Sequence, residues 1–223
     1  MLTLRHYQAR SLEVLDRYFR LCRTSGPKKA FIEITERPYQ TPSILADVPY
    51  VCLRLPTGGG KTLLAAHAAG LALHRLLEST HGVVLWLVPS NTIRDQTLDA
   101  LRNREHPYHQ ALLEKITTPV RVVDLQEALY LPRGVYMGET VVLVSTLAAL
   151  RVEDTDGRKI YEPNGTLSGF FSGAVERLAE GLDSNDAGIV PSLANALAVH
   201  RPVVIMDEAH NARTSLSFTT LER

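Results

Sequence analysis

Residues 51–67 read VCLRLPTGGGKTLLAAH. An apolar run bounded by Pro49 and Pro56 is predicted as a strand, and the run that starts at Lys61 as a buried helix over 61–78. Gly58, Gly59 and Gly60 stand between them. Three residues without side chains let a short turn bend tightly and let its backbone N–H groups converge. A helix that begins there turns its positive end toward whatever the turn encloses.

Working outward, apolar and amphipathic segments alternate. Leu12, Leu15, Phe19 and Cys22 form a stripe at helical spacing within an expected helix over 5–22. AFIEIT (30–35) alternates as a short strand does, and a proline-rich loop follows it. GVVLWLVP (82–89) is nearly all apolar, as a parallel strand covered on both faces must be. A helix is expected over 92–104, strands at VRVVDL and TVVLVS, helices over 173–181 and 191–199, and a last strand at PVVIM (202–206). Strands alternating with helices predict an α/β fold with a parallel sheet. DTDG (154–157), between two short strand-like runs, predicts a β-hairpin inserted within 151–170.

Composition excludes some classes of function. The 223 residues carry Lys+Arg 24 and Asp+Glu 24, so no bulk basic field holds nucleic acid and any such contact must be local. No apolar run is long enough to cross a bilayer and no signal-peptide block opens the chain, so no membrane partner is expected. Two cysteines, Cys22 on a helix and Cys52 in an expected buried strand, make no disulfide framework, which fits a cytoplasmic setting. The chain stops at SLSFTTLER, inside what reads as a helix, so a fragment of a longer protein is expected.

The phosphate-loop pattern is G-x-x-x-x-G-K-[ST]. Gly60, Lys61 and Thr62 match its end, while Leu55 occupies the place of its first glycine. Residues 56–60, with Thr57 and the three glycines, can cradle a phosphate. Lys61 can reach the β- and γ-phosphates, and the Thr62 hydroxyl can ligate Mg²⁺. The plain alternative is a glycine turn with no ligand. Far downstream, VVIMDEAH places Asp207 and Glu208 at the end of a buried strand. There Asp207 can hold Mg²⁺ and Glu208 can polarise a water that attacks a γ-phosphate; the alternative is a solvated acidic turn.

PTGGGKT followed by DEAH resembles motifs I and II of superfamily 2 helicases and translocases, and LTLRHYQ is similar to the element those proteins carry ahead of the phosphate loop. The resemblance implies a RecA-like fold with helices on both sheet faces, ATP and Mg²⁺ as cofactors, and Gln8 reading the adenine edge, with Arg5 and Tyr7 near the base. By its own chemistry Gln8 is a polar helix residue. WLVPSNTIRDQT resembles motif Ia, which implies contact of Ser90 and Asn91 with a nucleic-acid backbone; helix capping explains the same residues. VLVSTLAAL resembles the next motif, with Ser145 and Thr146 in the same role.

The wording RLPTGGGKT, RVEDTDGRKIY and MDEAHNAR is most similar to the ATPase subunit of type III restriction enzymes, over essentially the whole chain. That similarity implies that residues 1–223 form a first RecA-like lobe and that DNA is the track. It also implies a second lobe and restriction-modification subunits as partners, and His210 as a link between ATP site and strand movement. The Ser/Thr-Ala-Thr element expected after motif II is absent from these residues, as are a nuclease motif and an arginine finger. Two other functions stay open: an ATP-driven clamp without processive movement, and a phosphate-loop ATPase unrelated to nucleic acid.

HPYH (106–109) is expected as a surface loop rather than a metal pair. His67 and His74, with no acidic partner evident in the sequence, are expected to be packed or partly exposed, and Trp86 to be core.

Overall fold

A computed structural model describes residues 3–40, 45, 47–150, 159–171 and 181–208. The chain divides into two compact units, one of residues 1–80 with 103–117, the other of 81–102 with 118–223.

The first unit is helical. It comprises α1 (His6–Ser25), α2 (Pro27–Thr35), α3 (Lys61–Arg75) and α5 (Pro107–Leu113). The stripe on α1 is buried at Leu15, Phe19 and Cys22, joined by Tyr18. Asp16 of α1 binds Arg75 of α3 at 2.8 Å. The segment AFIEIT is not a strand but the body of α2. Pro27 at its first position presets φ for a helix, and the Tyr18 and Phe31 rings meet edge to face at 6.4 Å. Nor is YVCLRL a strand: residues 50–55 form no ladder, and Cys52, Leu53 and Arg54 are exposed. Cys52 is therefore not the buried strand residue expected. Gly70 lets α3 lie close against the end of α5, since a Cβ there would approach the Leu112 carbonyl to 3.1 Å.

The second unit carries a parallel sheet. β1 (Val83–Val88), β2 (Val120–Val123), β3 (Thr140–Thr146) and β6 (Val203–Met206) lie in the order β2-β3-β1-β6. Val84 stands between Val142 and Val203 in register. β1 and β3 are buried at every position, which is why GVVLWLVP and TVVLVS are nearly continuous apolar runs. Trp86 is core, as expected. α4 (Asn91–Arg102), α6 (Leu125–Ala128) and α7 (Arg133–Gly138) pack on these strands. A sheet of parallel strands flanked by helices is the RecA-like α/β arrangement expected.

A short hairpin is present, at Ser184–Asn185 (β4) and Gly188–Ile189 (β5). Asn185 closes it by accepting the Ala187 N–H, and Gly188 has φ +112°. Asn195 of α8 (Leu193–His200) braces it with bonds to both backbone groups of Asp183 and to the Val190 carbonyl. Residues 151–158 of the hairpin expected within 151–170 lie outside the described residues, and 159–161 are helical. The helix expected over 173–181 falls, except for Gly181, outside them too.

Candidate functional site

In the first unit the glycine turn takes the shape its composition predicts. Gly59 N–H donates to the Pro56 carbonyl at 3.0 Å, closing a four-residue turn. Gly58 and Gly60 have φ +74° and +77°, the left-handed region that L side chains avoid, and Gly59 between them does not. Such alternation points successive N–H groups inward and makes an anion nest. Gly60 caps α3, whose first two residues are Lys61 and Thr62, both half-buried. Thr57 and Gly58 are exposed at the tip.

Gly60 also needs its missing side chain for room. A Cβ there would lie 2.5 Å from Gln8 Nε2. Gln8 is buried in the first turn of α1 and both ends of its amide are engaged. Its Oε1 accepts the Arg5 N–H at 2.9 Å, and its Nε2 donates to the Gly59 carbonyl at 3.0 Å. Tyr7 donates its hydroxyl to the same carbonyl at 2.9 Å. Two residues of the first turn of α1 thus grip the glycine loop. This cradle of crowded, left-handed glycines with a lysine and a threonine at a helix start fits a polyphosphate.

A cavity of about 220 Å³ lies in the same unit, lined by Leu4, Leu63, His67, Gln110, Ala111 and Glu114 among others. None of the loop residues 56–60 lines it. His67 Nδ1 and Glu114 Oε2 stand 3.0 Å apart. Burial holds the imidazole below its ordinary pKa, against the opposing pull of Glu114. The acidic partner of His67 comes from the end of α5, forty-seven residues on, a pairing that local spacing on one helix could not reveal. HPYH is not a surface loop: His106 caps α5 through its Nδ1, and His109 is buried within the helix. Among the described residues no group of His, Cys, Asp or Glu side chains is arranged to hold a metal.

In the second unit, β6 delivers Asp207 and Glu208 at its carboxyl end. Asp207 N–H continues the sheet by donating to the Leu87 carbonyl at 2.9 Å. Its Oδ1 accepts the Glu208 N–H at 2.9 Å. Glu208 has φ +53°, a strained conformation for a residue with a side chain. Both are half-buried. His210 lies outside the described residues.

Ser90, Asn91 and Thr92 are exposed where β1 passes into α4, with Ser90 Oγ accepting the Ile93 N–H at 3.4 Å. Ser145 and Thr146, at the end of β3, are buried. The Ser145 hydroxyl donates to the Thr146 carbonyl, and Thr146 Oγ1 accepts the Ala149 N–H. The strand-end motifs of this unit therefore divide into an exposed set after β1 and an internally bonded set after β3.

Residues 1–222 match the family described as type III restriction enzyme, res subunit. The chain belongs to that family. No curated protein and no solved structure matches it. The match covers nearly every residue, so this res-subunit domain is a helicase-like ATPase domain, and nucleotide use comes with that family. Among the described residues no helix is long and apolar enough to cross a membrane.

Proposed function

We propose that this chain is the first motor lobe of a DNA-dependent ATPase that uses ATP and Mg²⁺ to move along nucleic acid. The observation that carries the reading is the loop at 56–60. Its two left-handed glycines flank a carbonyl pinned by Tyr7 and Gln8, directly ahead of Lys61 and Thr62. A glycine turn with no ligand has no need of that preorganisation.

In this reading Thr57, Gly58, Gly59 and Gly60 present backbone N–H groups to the phosphates, and Lys61 neutralises the β- and γ-phosphate oxygens. Thr62 and Asp207 hold Mg²⁺, which supplies charge neutralisation between the phosphates. Glu208 orients and polarises the attacking water. Ser90 and Asn91 meet the backbone of the strand. Ser145 and Thr146, buried and bonded to their own chain, shape the turn after β3 that takes part in the same grip. His210 couples the two ends. A second lobe supplies the arginine finger, and restriction-modification subunits are the partners in the intact assembly.

The test is calorimetric binding of Mg-ATP by the chain and its Lys61→Ala variant, with steady-state hydrolysis measured with and without DNA. Wild type is expected to bind weakly and turn over very slowly, because an arginine finger contributes about 10³–10⁵ in rate. Lys61→Ala is expected not to bind. Fast DNA-stimulated turnover by these 223 residues alone, or equal binding by the variant, overturns the proposal.

A further inference from the structure

We propose that the cavity between α3 and α5 is a binding site for a small protonated amine carried on an apolar group. The site belongs to the helical unit alone, and it stands apart from the nucleotide reading because no residue of the glycine turn lines it.

The two helices approach closely at Gly70, where a Cβ would come within 3.1 Å of the Leu112 carbonyl. The cavity lies toward their first turns, between Leu63 of α3 and Ala111 of α5, and Leu4 from the segment ahead of α1 adds a third wall. Leu63 and Ala111 are buried, so the floor is apolar. Gln110 and Glu114 are exposed and mark the mouth. The volume of about 220 Å³ is larger than the roughly 150 Å³ that admits benzene to an apolar protein cavity. A six-membered ring with a short polar arm fits that space.

The polar groups of the lining choose the charge of that arm. Glu114 Oε2 stands 3.0 Å from His67 Nδ1. A carboxylate only accepts, so the shared proton belongs to Nδ1. Burial lowers the imidazole pKa, against Glu114 and with the aid of Lys115. At neutral pH the ring is therefore neutral, and its Nε2 is left as an acceptor. The carboxylate has about four lone-pair sites. His67 uses one, and Lys115 Nζ, 3.5 Å from Oε1, uses at most one more. Lys115 does not line the cavity, and its pairing with Glu114 is solvent-exposed on both sides, where such a pair contributes little. The lining thus carries one formal negative charge, no positive charge, and acceptors on both Glu114 and His67. A ligand with positive charge and several donors answers all of these, and an ammonium group has three donors. An anion would face Glu114 with only the Gln110 amide to donate to it.

Benzylamine is the probe, used near pH 8, where it is protonated and His67 is neutral. The full chain is titrated with it and with benzyl alcohol, which has the same ring and no charge, while the Leu63 and Ala111 methyl resonances are followed by NMR. Both methyls should shift saturably with benzylamine, with a dissociation constant of about 1 mM. Benzyl alcohol should bind at least about tenfold more weakly. Glu114→Gln, a change at an exposed position, should lose about tenfold or more for benzylamine and little for the alcohol. Lys115→Ala removes the competing cation and should bind benzylamine at least as tightly as wild type does. Methyls that do not move, equal affinity for the alcohol, unchanged affinity in Glu114→Gln, or weaker binding by Lys115→Ala each overturn the proposal, and each leaves the nucleotide reading where it stands.

Discussion

Gly60→Ala is the sharpest perturbation of the loop, and the structure lets its cost be divided. A side chain at φ +77° incurs the left-handed penalty, about 1–2 kcal/mol for an L-residue. The new Cβ would lie 2.5 Å from Gln8 Nε2, but 3.8 Å from Gln8 Cδ and 4.0 Å from Leu63 Cβ. Only the tip of one flexible side chain is in the way. The amide swings aside, no backbone moves, and the loss is the 3.0 Å bond to the Gly59 carbonyl. A bond of that kind contributes about 0.5–1.5 kcal/mol net. The sum is about 1.5–3.5 kcal/mol. In a Gln8→Ala background the amide is already gone, so Gly60→Ala should cost only the backbone part. A double-mutant cycle read by urea unfolding, followed by circular dichroism, should therefore show less-than-additive losses with a coupling of about 0.5–1.5 kcal/mol. Strict additivity, or a Gly60→Ala chain as stable as wild type, would refute the division made here.

Three further outcomes are expected. His200 stacks on Tyr136 at 5.4 Å with its Nε2 buried and without a hydrogen-bond partner, and burial, aided by His81 and Arg133, holds its pKa below the ordinary value. The unfolded chain then takes up the proton more readily, so stability is complete above the unfolded value near 6.5 and is lost as the pH falls through the lower folded value. His67, likewise depressed, adds in the same direction. His200→Phe should melt no lower than wild type at neutral pH and lose less on acidification; an unchanged pH profile in thermal melts would count against it. Leu101 is fully buried on α4, and Leu101→Ala should cost about 2–5 kcal/mol in chemical denaturation. Glu208→Gln should bind Mg-ATP as wild type does yet abolish hydrolysis and movement in the intact assembly; a variant that loses hydrolysis and keeps its function would favour a clamp over a motor.

The centre of the sheet was legible because β1 and β3 are buried at every position, which leaves VVLWLV and the VVLV of β3 no polar positions to confuse with another pattern. The glycine turn was legible because three adjacent glycines between two apolar runs favour a tight bend. Segments of six residues failed. AFIEIT and YVCLRL have equal claims to strand by alternation, yet one became a helix and the other irregular backbone. The helix signal of the first lay outside the alternating run, in Gly26 and Pro27, and in the ring of Phe31 meeting Tyr18. At 184–189 a hairpin forms that the sequence reading did not mark: Asn185 and Gly188 carry its turn chemistry and Asn195 ties that turn to α8, while DTDG lies outside the described residues. The engagement of Gln8 with Gly59 had no local signal, because it joins residues fifty-one apart.

Glu208 sits at φ +53° at the end of β6, where a residue with a Cβ is disfavoured and glycine or asparagine is at ease. Random libraries sorted for sturdiness should therefore enrich Gly or Asn at this codon, gaining thermal tolerance while discarding the carboxylate. Stability-guided redesign of this domain must exempt that position, since the substitution most rewarded by folding is the one that removes the carboxylate proposed above to activate water.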